Sequence, residues 1–134
     1  MDQYVMQRAA TSNKPTAGLE WIDTQLQVLD ASPMDEQIVS LKEFLDKPLE
    51  MPQMLGDLHS AWRDGDVARL DKLTREEMRD KTPQTYRMIN VERNQAWLPQ
   101  IQVMLDDAKK GDTLVVVGAL HLLGDDGIVG KLRE

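Results

Sequence analysis

Residues 113–132 read TLVVVGALHLLGDDGIVGKL. Leu114 to Val117 form an apolar run, β-branched from Val115 onward. It follows Gly111-Asp112 and ends at Gly118, a pattern that suits a strand buried on both faces. Ala119, Leu120 and His121 come next, and then the pattern changes. Gly124-Asp125-Asp126-Gly127 is turn and helix-cap chemistry, and Ile128, Val129 and Leu132 fall at helical spacing. A histidine therefore stands just past the C-terminal end of a strand, in the loop that opens a helix. In open α/β sheets this is where ligands and catalytic groups collect.

The totals narrow what this stretch can belong to. At 134 residues the chain predicts one domain, residues 1–134, with a single modest core. A composition of 41% hydrophobic and 29% charged residues is that of an ordinary globular chain. Acidic residues outnumber basic ones 23 to 16, for a net charge of -7, and the basic residues are scattered. That argues against a nucleic-acid partner or a membrane-surface role. No apolar run approaches the roughly 20 residues needed to span a bilayer, and the polar start MDQYVMQRAA is no signal peptide. Without cysteine there are no disulfides, thiolate nucleophiles or cysteine-based metal sites.

Elsewhere the periodicity is mostly helical. A short helix covers residues 2–11, ended by Ser12-Asn13-Lys14-Pro15. Residues 15–19 form a brief extended segment, the second strand candidate beside 113–119. Helices follow over about 21–29 and 34–45, with Ile22, Leu26, Leu29 and then Ile38, Leu41, Phe44 and Leu45 on their stripes. Residues 49–63 carry Met51, Met54, Leu55, Leu58 and Trp62 as an apolar face, and these methionine- and tryptophan-bearing faces are expected to be core. Val67 to Leu73 is a short helix, and Thr74 to Glu77 resembles a capping box opening another. Pro83 begins a helix running towards Glu92. The strongest helical signal is 94–110, with Trp97, Leu98, Ile101, Met104 and Leu105 inward and Pro99 early or at a kink. The inventory is about seven helices with two short strands and room for a third, an α/β chain that is predominantly helical. Two strands alone are marginal, so either the helices sandwich this small sheet or further strands come from another chain or segment.

Few residues stand out as chemistry. His121 is the best candidate, because imidazole serves as a base or a metal ligand near neutral pH, although many strand-end histidines have no role. His59 reads as a half-exposed helical histidine. Glu20 follows a strand candidate, which makes it either a strand-end site residue or a first-turn helix residue. Glu92-Arg93-Asn94 places an acid, a cation and an amide at a helix junction, which reads as a site or as an exposed cap of the long helix. Asp125 and Asp126 read as N-caps of the last helix. No P-loop, GxSxG, HExxH or Gly-rich dinucleotide signature is present.

Three groups of these residues, taken in order, resemble a known family: Gly18-Leu19-Glu20 with Gln25; Glu92-Arg93-Asn94 with Trp97; and Gly118-Ala119-Leu120-His121 followed by Leu122, Gly124 and Gly127. They resemble the C-terminal half of the TraB/PrgY/GumN family, whose superfamily includes the Tiki proteases. The resemblance implies an α/β fold related to the erythromycin-esterase and ChaN-like group. It also implies a site built from two GxxH histidines, a glutamate and an arginine. Residue by residue, Gly118 and His121 match the second GxxH, Arg93 the arginine, and Glu20 the glutamate. His121 and Glu20 would be ligands of a divalent metal, manganese or cobalt, with His121, Glu20 and Arg93 as the catalytic set of a peptidase-like hydrolase.

No residues match the family's first GxxH, so the chain is expected to correspond to a family member lacking its N-terminal half. It would then be inactive alone. The partners implied are that half or a second copy, with a peptide as substrate, and the resemblance places the full-length protein in an extracytoplasmic or periplasmic location. The alternative is a non-catalytic interaction module that self-associates through exposed strand edges.

Overall fold

Proline, glycine and aspartate set several of the helix boundaries. The computed structural model describes residues 2–107 and 111–133. Among them lie α1 (Asp2–Thr11), α2 (Ile22–Asp30), α3 (Met34–Asp46), α4 (Glu50–Asp64), α5 (67–81), α6 (83–106) and α7 (Ile128–Lys131). Pro33 precedes α3 with an extended ψ of 136°. Gly65 closes α4 at φ 68°, a left-handed conformation suited to glycine, and its N–H returns to the Ala61 and Trp62 carbonyls. Asp66 caps α5, its carboxylate accepting from the Arg69 N–H at 3.0 Å. Pro83 opens α6.

Helices α5 and α6 each contain a π turn, at Lys72–Glu76 and at Arg87–Glu92. A π turn adds a residue within a helix and rotates the register of the side chains that follow. The expected helix start at Thr74 is therefore corrected, because the backbone runs through it. The Thr74 hydroxyl donates back to the Leu70 carbonyl at 2.7 Å rather than capping a new helix. The two helices expected on either side of Glu92 are likewise one, with Pro99 inside it. The expected extension of that helix to Lys110 falls partly on residues 108–110, outside the described residues.

The expected α/β architecture is overturned. Among the described residues there is no strand and no sheet, and the chain is all-helical. Residues 15–19 and 113–119, both read as strands, are not paired. A strand is defined by a ladder of hydrogen bonds to a neighbour, and the backbone of residues 112–117 makes no hydrogen bond to any described residue. The local pattern survives without the ladder. Val115 and Val117 pack inward against the core cluster while Leu114 and Val116 are exposed. The segment is thus covered on one face, not on both. It ends in a 3-10 turn, Ala119–Leu122.

The core is small and lies where α6 meets α7. Trp97, Ile101 and Ile128 form its centre, with Leu19, Leu98, Val115, Val117 and Leu132 packed around them. Helix α3 is tied to α6 by a charge. The buried Glu36 carboxylate accepts the Gln84 and Thr85 N–H groups at 2.9 and 2.8 Å, so it satisfies the open amides at the start of α6. The apolar stripes of α2 and α3 are real but do not become core. Ile22, Leu26, Leu29, Leu41, Phe44 and Leu45 are all exposed. On α4, Trp62 and Leu55 are exposed as well. A stripe is buried only where another element covers it. No helix is long and apolar enough to cross a membrane.

Candidate functional site

Helix α6 presents Tyr86, Asn90, Asn94, Trp97 and Ile101 towards the interior, all of them buried. Two are amides, and at 0% and 1% exposure Asn90 and Asn94 would each be costly without partners. Both have them. The Asn90 amide donates to the Tyr86 hydroxyl at 3.3 Å, and that hydroxyl donates to Asp126 Oδ2 at 3.0 Å. Asn94 Nδ2 donates to the Asp126 backbone carbonyl at 2.8 Å, and Asn94 Oδ1 lies 2.7 Å from His121 Nδ1. A ladder of polar groups thus ties α6 to the loop carrying His121. Burial above all, reinforced by Asp126, pushes the Tyr86 phenol pKa up, so the hydroxyl stays protonated at neutral pH. Asp126 is consequently a hydroxyl acceptor and not the expected N-cap, a place taken by the extended Gly127.

The turn that carries His121 is held by close backbone packing. Its N–H returns to the Gly118 carbonyl at 3.0 Å. Gly124, at φ 65°, lies directly against the Arg75 guanidinium. That guanidinium is itself held by both oxygens of Asp71, at 2.5 and 2.7 Å. By contrast, a Cβ at Gly118 would meet its nearest atom, the His121 Cδ2, at an ordinary 3.8 Å.

Glu20, Arg93 and His121, distant in sequence, converge on Trp97. Arg93 grips the Glu20 carboxylate with two N–H groups, Nη2 to Oε1 at 2.6 Å and Nε to Oε2 at 3.2 Å. The Trp97 indole N–H donates to the same Oε2 at 3.1 Å. The guanidinium lies 4.8 Å from the Trp97 ring centroid, in cation–π range. The His121 ring centroid lies 4.7 Å from that of Trp97, tilted by 53°. Arg93 Nη1 also donates to the Ile89 carbonyl at 3.3 Å, which leaves two of its five N–H groups over.

The Glu92-Arg93-Asn94 triplet divides between surface and interior. Glu92 points outward and pairs with Arg87 at 3.0 Å, while Arg93 and Asn94 turn in. Of the exposed-cap reading only the exposure of the acid holds, since α6 runs through Glu92 and its side chain caps no helix. Sequence reasoning missed Asn90 and Tyr86 as site residues. The recurrence of Tyr86, Asn90 and Asn94 at every fourth residue was a usable signal, hidden because an amide on a helix is ordinarily exposed. His59 is exposed on α4 and takes no part in these contacts.

Electrostatically His121 is a neutral imidazole. Burial first, and then the Arg93 charge, push its pKa down to about 4, against a smaller opposing pull from Glu20. Its Nε2 has no hydrogen-bond partner among the described residues and is not sealed from solvent. The divalent metal expected from the resemblance meets a poor donor set here. His121 Nε2 is one available ligand, but both Glu20 oxygens are engaged and a guanidinium cancels the carboxylate's charge. No group of three or more histidine, aspartate or glutamate side chains suited to a metal occurs among the described residues. As arranged, these residues do not make up a metal site.

No curated protein and no solved structure matches the chain. A family model does, over residues 1–134, its whole length. It spans each element of the Trp97-centred cluster, and by that match the chain belongs to the TraB/PrgY/gumN family.

Proposed function

We propose that the Trp97-centred cluster is a hydrolytic site acting on peptide bonds, with His121 as its proton acceptor. The observation that supports this reading is a neutral, buried imidazole whose Nε2 remains open beside a pinned guanidinium. In the reaction, His121 Nε2 takes a proton from a water as its oxygen attacks the carbonyl carbon. The imidazolium then returns that proton to the departing amine nitrogen as the C–N bond breaks. The two N–H groups of Arg93 not bound in the structure are available to the carbonyl oxygen as negative charge develops. Glu20, a metal ligand and catalytic residue by the resemblance, serves in this reading to hold Arg93 in place. A folded-state pKa of about 4 keeps His121 in its base form at neutral pH but makes it a weak base, so the reading predicts slow turnover.

The test is peptidase activity of the chain on a fluorogenic peptide pool, with and without manganese or cobalt, against His121→Gln and Arg93→Gln. Activity lost in both variants supports the reading, and equal rates in wild type and His121→Gln sink it. Calorimetric titration with the same two ions tests the metal requirement that the resemblance implies. Binding that survives His121→Gln would exclude His121 as a ligand.

A second reading, an interaction module, is favoured by one observation. The backbone of residues 112–117 makes no hydrogen bond to any described residue and carries the exposed Leu114 and Val116, with no charged residue or proline between 113 and 120 to discourage strand addition. Size-exclusion chromatography with light scattering separates the two readings. A monomer at all concentrations counts against self-association through this edge.

A further inference from the structure

The bond between Asn94 and His121 carries more information than its length. We infer that Asn94 is a positioning residue that fixes the tautomer of His121, placing the proton on Nδ1 and leaving the lone pair on Nε2. The inference deepens the hydrolytic reading, since Nε2 is the atom that reading uses, but it rests on hydrogen-bond geometry and is tested without catalysis.

The orientation of the Asn94 amide is set by what surrounds it. One end of the amide lies 2.8 Å from the Asp126 backbone carbonyl and 3.5 Å from the His121 carbonyl. A carbonyl oxygen only accepts, so that end must be the NH2 group. The reverse orientation would set two oxygens against each other at 2.8 Å, inside the interior, where no water relieves the repulsion. Oδ1 therefore faces His121 Nδ1, at 2.7 Å. An amide oxygen is an acceptor only, so Nδ1 must carry the hydrogen. A neutral imidazole has one N–H, and Nε2 is left with its lone pair. In water the neutral histidine side chain favours the opposite tautomer, with hydrogen on Nε2. The protein thus reverses the intrinsic preference, and Asn94 is the contact that does so. Its own position is over-determined. It is 1% exposed, one turn beyond Asn90 on α6, and bonded to both ends of the segment from His121 to Asp126.

Nitrogen-15 NMR of the imidazole at pH 7 reads the tautomer directly, because protonated and bare ring nitrogens resonate far apart. Wild type is expected to show a protonated Nδ1 and a bare Nε2. Asn94→Leu, close in shape but without an acceptor, is expected to shift His121 towards the Nε2-protonated form seen in free histidine. Asn94→Ala gives the same comparison if leucine is not accommodated. A wild-type spectrum with the proton on Nε2 overturns the inference, and so does a variant that folds, by its amide spectrum, with the wild-type imidazole pattern unchanged. Neither outcome depends on turnover, so a protein with the expected tautomer and no peptidase activity would refute the hydrolytic reading alone. Where activity is measurable, the variants are expected to lower kcat by about 100-fold or more with little change in KM, as when the orienting partner of a catalytic histidine is removed.

Discussion

Replacing Glu20 with glutamine keeps the side chain's shape but removes its charge, and the structure indicates what that costs. The carboxylate accepts two N–H groups from Arg93 and one from Trp97. The pair is nearly buried, with side-chain exposures of 20% for Arg93 and 9% for Glu20. Removing one partner of a fully buried pair costs about 3–5 kcal/mol because the other charge is left uncompensated. Exposed pairs contribute about 1 kcal/mol or less. Arg93 keeps the Ile89 carbonyl, the Trp97 ring and some solvent, which puts Glu20→Gln near the lower end of the buried range, at about 2–4 kcal/mol. Urea unfolding followed by far-UV circular dichroism measures this. Fluorescence in a Trp21→Phe, Trp62→Phe background gives a second probe at the buried Trp97, since the other two tryptophans are exposed. The same variant removes the one charge that raises the His121 pKa, so the imidazole titrates at still lower pH, whereas Arg93→Met moves it up. A loss of less than about 1 kcal/mol would mean that the pair is worth no more than a surface one, and the proposed anchoring of Arg93 would be refuted.

Other outcomes follow from the same geometry. Glu36 is pushed up by burial, but the Thr85 and Gln84 bonds outweigh this and hold its pKa below the ordinary value of 4.5. Its contribution is therefore complete above that value and disappears as pH falls through the lower folded pKa. Glu36→Gln should abolish this part of the acid sensitivity and cost about 1–3 kcal/mol at pH 7 in denaturant unfolding. His121 acts in the same direction over a different window. Between 6.5 and about 4 the unfolded chain takes up a proton that the folded one refuses, so stability falls with pH by up to about 1.4 kcal/mol per unit, and His121→Gln should flatten that slope. Gly124→Ala places a methyl group against Arg75 at a left-handed φ of 65° and should cost about 2 kcal/mol or more, with a lower Tm in calorimetry. The amides of residues 113–117 should exchange with deuterium without measurable protection, and strong protection in a monomer would show that the segment is paired after all.

Sequence alone was enough for most of the helices, because a period of 3.6 and the caps that bound it are local. Pro33, Gly65 and Pro83 mark their boundaries whatever the rest of the chain does. It also named Glu20, Arg93 and His121 as candidates, and the structure places the three around Trp97. The strands were not legible in the same way. Leu114 to Val117 has strand chemistry and keeps the inward and outward alternation of a strand, but a strand exists only through hydrogen bonds to a neighbour, and no local pattern supplies one. The apolar stripes of α2 and α3 met the same limit, since periodicity shows which face is apolar but not whether anything covers it. What the tertiary structure decided was the company each residue keeps. It set Glu20 against Arg93, and it made Asp126 the acceptor for Tyr86 and not a cap. It also brought Asn94, 27 positions from His121, to its Nδ1. Such roles depend on burial and distance between groups remote in the chain, which the identity and spacing of residues do not encode one by one.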